Sequence, residues 1–128
     1  MTDVKTILEG LQILVVEDEV LIAMDIEDML LELKCEPVGP ASTIQSALEF
    51  IRRTVKLDGV LLDMNLHGQM VSPIVEELVK KGVLFVLVTG YARRDDDPLA
   101  MRDAPRLNKP FTVGTLSAAL TSTFVNSI

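Results

Sequence analysis

The sequence is short of the residues that most often carry metal binding, nucleophilic catalysis and covalent staples. It holds one cysteine, Cys35, one histidine, His67, one tyrosine and no tryptophan. A lone cysteine forms no internal disulfide and no thiolate metal cluster, and a lone histidine argues against a zinc centre. Basic residues are also scarce: 12 Lys and Arg stand against 19 Asp and Glu, a formal charge of −7. That balance argues against a nucleic-acid groove, which needs a basic stripe, and against a polybasic membrane anchor. Long apolar runs are missing. The longest, residues 83–88, falls far short of the ~18 residues of a membrane-spanning helix. The opening Met1-Thr2-Asp3-Val4-Lys5 lacks the basic stretch and apolar core of a secretory leader, so a cytoplasmic protein is expected.

What is present suffices for one domain. With 128 residues, 48% of them apolar, the chain buries a core rather than staying disordered. No repeat, low-complexity tract or linker divides it; the pattern alternates instead. Residues 11–16, 59–62 and 83–88 are apolar runs rich in β-branched side chains, suited to strands buried on both faces of a parallel sheet. Residues 35–38 and 106–107 are weaker strand candidates. Between these runs the period turns helical. Ile22, Ile26, Met29, Leu30 and Leu33 share one helix face, and Ile44, Ala47, Leu48, Ile51 and Val55 repeat the pattern. Ser42 with Gln45 reads as a capping box for that second helix. Ser72-Pro73 reads as the N-cap and first turn of a third, carrying Val75, Leu78 and Val79 and ended by Gly82. Thr112 caps a last helix through Val113, Leu116, Leu120 and Phe124. The alternation predicts an α/β doubly wound five-stranded parallel sheet. Residues 89–105, with Arg93-Arg94, Asp95-Asp96-Asp97 and Pro98, predict only a short or irregular fourth helix.

Acids gather where such a sheet binds ligands, outside the carboxyl ends of the strands at the point where strand order reverses. The first run ends in Glu17-Asp18-Glu19, the third in Asp63 and the fourth in Thr89, and the fifth leads into Asn108-Lys109-Pro110. In the order 2-1-3-4-5, Glu17, Asp18 and Asp63 converge at that point, with Thr89 and Lys109 on its far side. Three adjacent carboxylates repel unless a cation intervenes, and an all-oxygen set suits Mg²⁺. A phosphoryl group at Asp63 would lie between such a metal and the Lys109 ammonium, with the Thr89 hydroxyl donating to a third oxygen. Glu19 reads as a helix-dipole acid, His67 as a polar loop residue beside the site, and Cys35 as a small packed residue.

Four ordered motifs, Val15-Val16-Glu17-Asp18-Glu19, Leu61-Leu62-Asp63-Met64-Asn65, Val88-Thr89-Gly90 and Asn108-Lys109-Pro110-Phe111, resemble the receiver domain of bacterial response regulators. The likeness runs over about residues 11–125. It implies a flavodoxin-like fold in which Asp63 accepts phosphate from the phosphohistidine of a sensor histidine kinase. It implies Mg²⁺ bound by Asp18, Asp63 and the main-chain carbonyl of Asn65, with Glu17 acting through water. Thr89 and Lys109 would be the switch hydroxyl and the phosphate-binding lysine. A phosphoacceptor signalling domain is expected rather than an enzyme. Its partners would be the kinase and a phosphotransfer or downstream regulatory protein, with no nucleic acid and no membrane, and the chain would be a monomer or weak dimer. By the same likeness, the first helix and the loop after the fifth strand would meet the kinase's helical bundle.

Two departures narrow the match. Receivers usually carry an aromatic residue three positions before the lysine, where Arg106 stands here, and Leu66-His67-Gly68 replaces the usual Met-Pro after the acceptor. The run Phe85-Val86-Leu87-Val88-Thr89-Gly90-Tyr91 is similar to the signature of the FAT GUY receivers of alphaproteobacteria. Those are often single-domain proteins acting around general stress-response phosphorelays. The expectation is a stand-alone receiver, residues 1–128, with its readout through Tyr91 and residues 89–105. It would signal by protein contact, phosphotransfer or as a phosphate sink. A small hydrolase would want an Asp-x-Asp where Asp63-Met64-Asn65 stands. A pseudo-receiver is disfavoured by the intact acids, Thr89 and Lys109.

Overall fold

Three apolar runs become the middle of one sheet and two weaker ones become its edges. The computed structural model describes residues 7–90, 101 and 104–126. Its strands are β1 (Gln12–Val16), β2 (Glu36–Ala41), β3 (Gly59–Asp63), β4 (Leu84–Thr89) and β5 (Arg106–Asn108). They alternate with α1 (Val20–Glu32), α2 (Ile44–Arg53), α3 (Ser72–Lys81) and, as the fourth helix among the described residues, α4 (Val113–Val125). All strand pairings are parallel, in the order β2-β1-β3-β4-β5, the flavodoxin-like topology expected. The irregular helix predicted within 89–105 falls largely outside the described residues, as do Tyr91, Arg93, Arg94 and the acidic run.

Every residue of β3 is buried, and so are the last four of β1 and of β4. Their side chains alternate between two cores, as strand geometry requires. Ile13, Val15, Leu61, Val86 and Val88 pack with Ile26, Leu30, Leu116 and Phe124 on the α1–α4 face. Leu14, Val16, Val60, Leu62 and Leu87 pack with Ile51, Ile74, Val75 and Leu78 on the α2–α3 face. The edge strands are covered less completely, which is why their apolar pattern is weak. β2 accordingly starts one residue later than predicted and runs on to Ala41.

Helix ends supply the other corrections. The box at α2 is made by Thr43 and Ser46 rather than Ser42 and Gln45. Thr43 Oγ1 accepts the Ser46 N–H at 3.0 Å, and Ser46 Oγ accepts the Thr43 N–H at 3.1 Å. Two hydroxyl residues in succession made the register ambiguous. At α3 the N-cap is Val71, with Ser72 and Pro73 already inside the first turn; the ring's fixed φ suits that position. Gly82 ends α3 at φ +70, and Thr112 caps α4 by accepting the Thr115 N–H at 3.2 Å, both as predicted. Val55 lies beyond the end of α2 and is exposed, and Val79 points outward from α3. Cys35 is buried with its thiol donating to the Leu8 carbonyl, and burial pushes its pKa up to about 11, which leaves it inert. Among the described residues, no helix is long and apolar enough to cross a membrane.

Candidate functional site

The sheet register assembles the site. Val16 pairs with Leu62, so the next residue of each chain segment, Glu17 and Asp63, stands side by side at the carboxyl end of the sheet. Both continue the alternation that sends Val15 and Leu61 to the α1–α4 face, and Lys109 continues that of Leu107. Glu17 and Asp63 are buried, at 2% and 5% exposure. Lys109 Nζ lies 3.1 Å from Asp63 Oδ2 and 3.3 Å from Glu17 Oε1. One carboxylate oxygen each from Glu17, Asp18 and Asp63 lies within 4.8 Å of the others. Around them is an open cavity of about 380 Å³, walled in part by Asn65, His67, Gly68 and Gly90.

Three acids and one ammonium make an under-neutralised cluster, and the ionisation of its members reflects this. Burial first, and then the neighbouring Asp63, pushes Glu17 up to about 7. Asp18 is pulled upward by its partial burial. The His67 N–H, at 3.0 Å from Oδ2, and a hydrogen bond with Glu17 outweigh this and hold it below the usual carboxylate range. Burial likewise opposes the charge on Lys109, but its two carboxylate partners raise it above the ordinary lysine value. An oxygen-only donor set with surplus negative charge fits a hard divalent cation such as Mg²⁺, and not zinc.

This has a consequence for stability. The folded protein binds a proton at Glu17 that the unfolded chain has released above the group's ordinary value of 4.5. That contribution is therefore present below about pH 4.5 and is lost as pH rises through about 7. The thermal midpoint of metal-free protein is expected to fall across this window. Glu17→Gln should flatten the slope, and saturating Mg²⁺ should restore the midpoint most strongly at the alkaline end, where its ligands are deprotonated. A midpoint independent of pH in wild type would refute this assignment of the raised group.

The loop after β3 is a tight turn. Asn65 N–H donates to Asp63 Oδ1 at 2.9 Å, and Asn65 Oδ1 accepts the Gly68 N–H at 2.8 Å. Asn65 Oδ1 is thus committed to the turn. Thr89 is buried at the end of β4, its carbonyl accepting the Lys109 N–H at 2.9 Å. The cavity wall from this strand comes from the following residue, Gly90.

No family model matches the chain. The transcriptional regulatory protein PdtaR of Mycobacterium tuberculosis is 34% identical over 113 residues, which is 85% of this chain and 54% of that protein. The chain therefore spans about half the length of the curated relatives it matches. The solution structure of SdrG from Sphingomonas melonis Fr1 is 39% identical, with a TM-score of 0.78 over 90% of this chain and 97% of that one. The REC domain of the PhyR response regulator of Erythrobacter litoralis is 26% identical, with a TM-score of 0.77 over 91% and 92% of the two chains. The chain belongs to the response-regulator receivers.

In this receiver, Glu17, Asp18, Asp63, Asn65 and Lys109 come together at one place, and Thr89 lies beside them in the sheet. Arg106, at the position usually aromatic, folds over the loop after β3. Its Nη1 lies 3.3 Å from Met64 Sδ, and Nη2 donates to the Met101 carbonyl at 3.0 Å. His67 is a polar loop residue beside the site, as the sequence predicts. Both its main-chain N–H and its ring Nδ1, at 3.5 Å, face Asp18. The signal for this was the glycine that follows it, which marks a turn tight enough to fold back on β1.

Proposed function

We propose that this receiver is a phosphoacceptor in a two-component phosphorelay, with Asp63 taking a phosphoryl group from the phosphohistidine of a sensor histidine kinase. The observation that carries the reading is Lys109, whose ammonium sits 3.1 Å from Asp63 Oδ2 inside a cluster of three acids. In the transfer, a carboxylate oxygen of Asp63 attacks phosphorus and the P–N bond of the donor breaks. The donor imidazole leaves with the bonding pair and takes up a proton. Asp18, Asp63 and the main-chain carbonyl of Asn65 would hold Mg²⁺, with Glu17 acting through water. Bound there, the ion offsets charge on the phosphoryl oxygens. Lys109 neutralises the remaining side of the group and the Thr89 hydroxyl donates to it, so positioning and charge do most of the work.

The acyl phosphate is a state rather than a product. The domain holds one phosphoryl group and gives it to water or to a phosphotransfer or downstream regulatory protein, or drains it from the kinase; it is not an enzyme turning over substrate. Two neighbours support this setting. SdrG has a structure described as a BeF3-activated conformation, and a PhyR structure is described as that of a stress response regulator. On that likeness we place the receiver in the cytoplasm, in general stress signalling.

Incubation with Mg²⁺ and acetyl phosphate, or with a phosphorylated kinase, is expected to give an acid-stable, base-labile phosphoprotein that EDTA prevents and Asp63→Asn lacks. Wild type unlabelled by both donors, or Asp63→Asn labelled equally, would overturn the reading. Multiple turnover of a small phosphoester would favour a hydrolase instead.

A further inference from the structure

β4 is longer than the strand that covers its outer side. β5 pairs with Leu87, Val88 and Thr89 only, so Leu84, Phe85 and Val86 run on past its start. Main-chain groups point to alternate sides along a strand. Val88 accepts the Met64 N–H on the β3 side. Leu87 donates to the Pro105 carbonyl at 2.8 Å and Thr89 accepts the Lys109 N–H, both on the β5 side. Phe85 shares the phase of Leu87 and Thr89, so its carbonyl points to the β5 side as well. The residue in register to donate to that carbonyl is Pro105, which has no N–H. Among the described residues the Phe85 carbonyl meets no main-chain donor there.

The same place is a groove. Between the last turn of α3, the start of β4 and the last turn of α4 lies an open cavity of about 550 Å³. Leu78, Val79 and Val83 form one wall, Ala104 and Pro105 another, and Thr123 and Asn126 the third. Among the described residues no charged side chain lines it, and Val79 is 59% exposed at its rim. A ligand that excludes water here must bring an N–H for the carbonyl as well as an apolar group for the walls. An extended peptide brings both, at the two-residue spacing of a strand.

We propose that this groove is a docking site for an extended segment of a partner protein. The segment adds to the amino half of β4 as a short strand and seats one apolar side chain against Val79 and Val83. The inference stands apart from the phosphoacceptor reading. Thr89 lies about 17 Å of strand rise away, at the opposite end of β4, so the docked segment leaves Asp63 open. A second copy of the chain is a poor source of such a segment. On its other free edge, β2, Glu36 donates inward to Leu11 at 2.7 Å and so leaves the outward position to Pro37. Neither Pro37 nor Pro40 has an N–H to offer.

The test titrates the isotope-labelled full chain with a five-residue probe, acetyl-Ser-Thr-Val-Thr-Ser-amide, and with its Leu-centred and Phe-centred counterparts. Saturable amide shifts are expected at Gly82, Phe85, Ala104 and Asn126, with none at Asp18 or Gly90. Two N-methylated versions of the best probe, each blocking alternate amides in one of the two phases, separate strand addition from apolar contact. One is expected to bind as the parent does and the other about three- to tenfold more weakly, the worth of one hydrogen bond. Val79→Glu, at an exposed position, should keep the unfolding midpoint and weaken binding about tenfold by placing a carboxylate against the apolar side chain. Equal binding by the two methylated phases would overturn the inference, as would a folded Val79→Glu protein that binds like wild type. Shifts confined to other surfaces, or none with any of the three probes, would also overturn it. Groove shifts that grow with protein concentration alone would make a second copy the occupant and overturn it too.

Discussion

Lys109→Met is expected to slow phosphorylation of Asp63 by about 10²–10³-fold while tightening Mg²⁺ binding. The first effect follows from position. The ammonium stands 3.1 Å from Asp63 Oδ2, where negative charge accumulates on the transferring group, and removing one such preorganised donor costs about 10²–10³ in rate. The second has the opposite sign because the same ammonium repels a divalent cation. Without it, the oxygens of Glu17, Asp18 and Asp63 within 4.8 Å of one another face the metal alone. Methionine retains the length of the apolar stem, so the loss is one of charge more than of packing. Label gain at saturating Mg²⁺ and a Mg²⁺ titration near pH 8, above the raised value of Glu17, read the two effects separately. Rate and metal affinity falling together would mean that the lysine only props up the site.

A second large effect is expected far from the chemistry. A Cβ built on Gly59 would come within 2.7 Å of Phe124 Cζ and 3.1 Å of Ile13 Cδ1, because the ring of α4 closes directly over the start of β3. Gly59→Val overpacks this contact and should cost about 1–3 kcal/mol. Phe124→Ala opens a cavity and should cost about 3–5 kcal/mol. Combined, the two should cost less than their sum, since the alanine removes the atoms that the valine strikes and neighbouring sites couple. Urea unfolding of the four proteins closes the cycle. Strict additivity would show that the ring and the glycine do not meet in solution.

Particular elements show how far the sequence could be read. β1, β3 and β4 were legible because both faces of each are buried, which leaves no polar residue to interrupt the run. β2 and β5 were harder because an edge strand needs less apolar cover; Glu36, Gly39 and Pro40 are exposed. The box at Thr43 was misplaced by one residue because Ser42 offers the same chemistry, and only backbone geometry chooses between them. Val55 matched the helical period of α2 yet lies past the end of that helix. Periodicity records a face and does not record where hydrogen bonding stops.

The same division holds for the site. Asp63, Glu17, Asp18 and Lys109 could be named in advance because each ends or follows a strand, and a parallel sheet gathers the carboxyl ends of its strands. The pairing of His67 with Asp18 links loops 49 residues apart, and local pattern carries no information at that separation. By itself, then, the sequence determined the strand–helix alternation and the set of acids, threonine and lysine at the carboxyl ends of the strands, because alternation and polarity are local properties. Tertiary structure alone decided that Glu17 is raised to about 7, that Asn65 Oδ1 is taken up by the Gly68 N–H, and that His67 lines the cavity beside Asp18. Electrostatics and hydrogen bonding depend on distance and burial, and those exist only once the chain has folded.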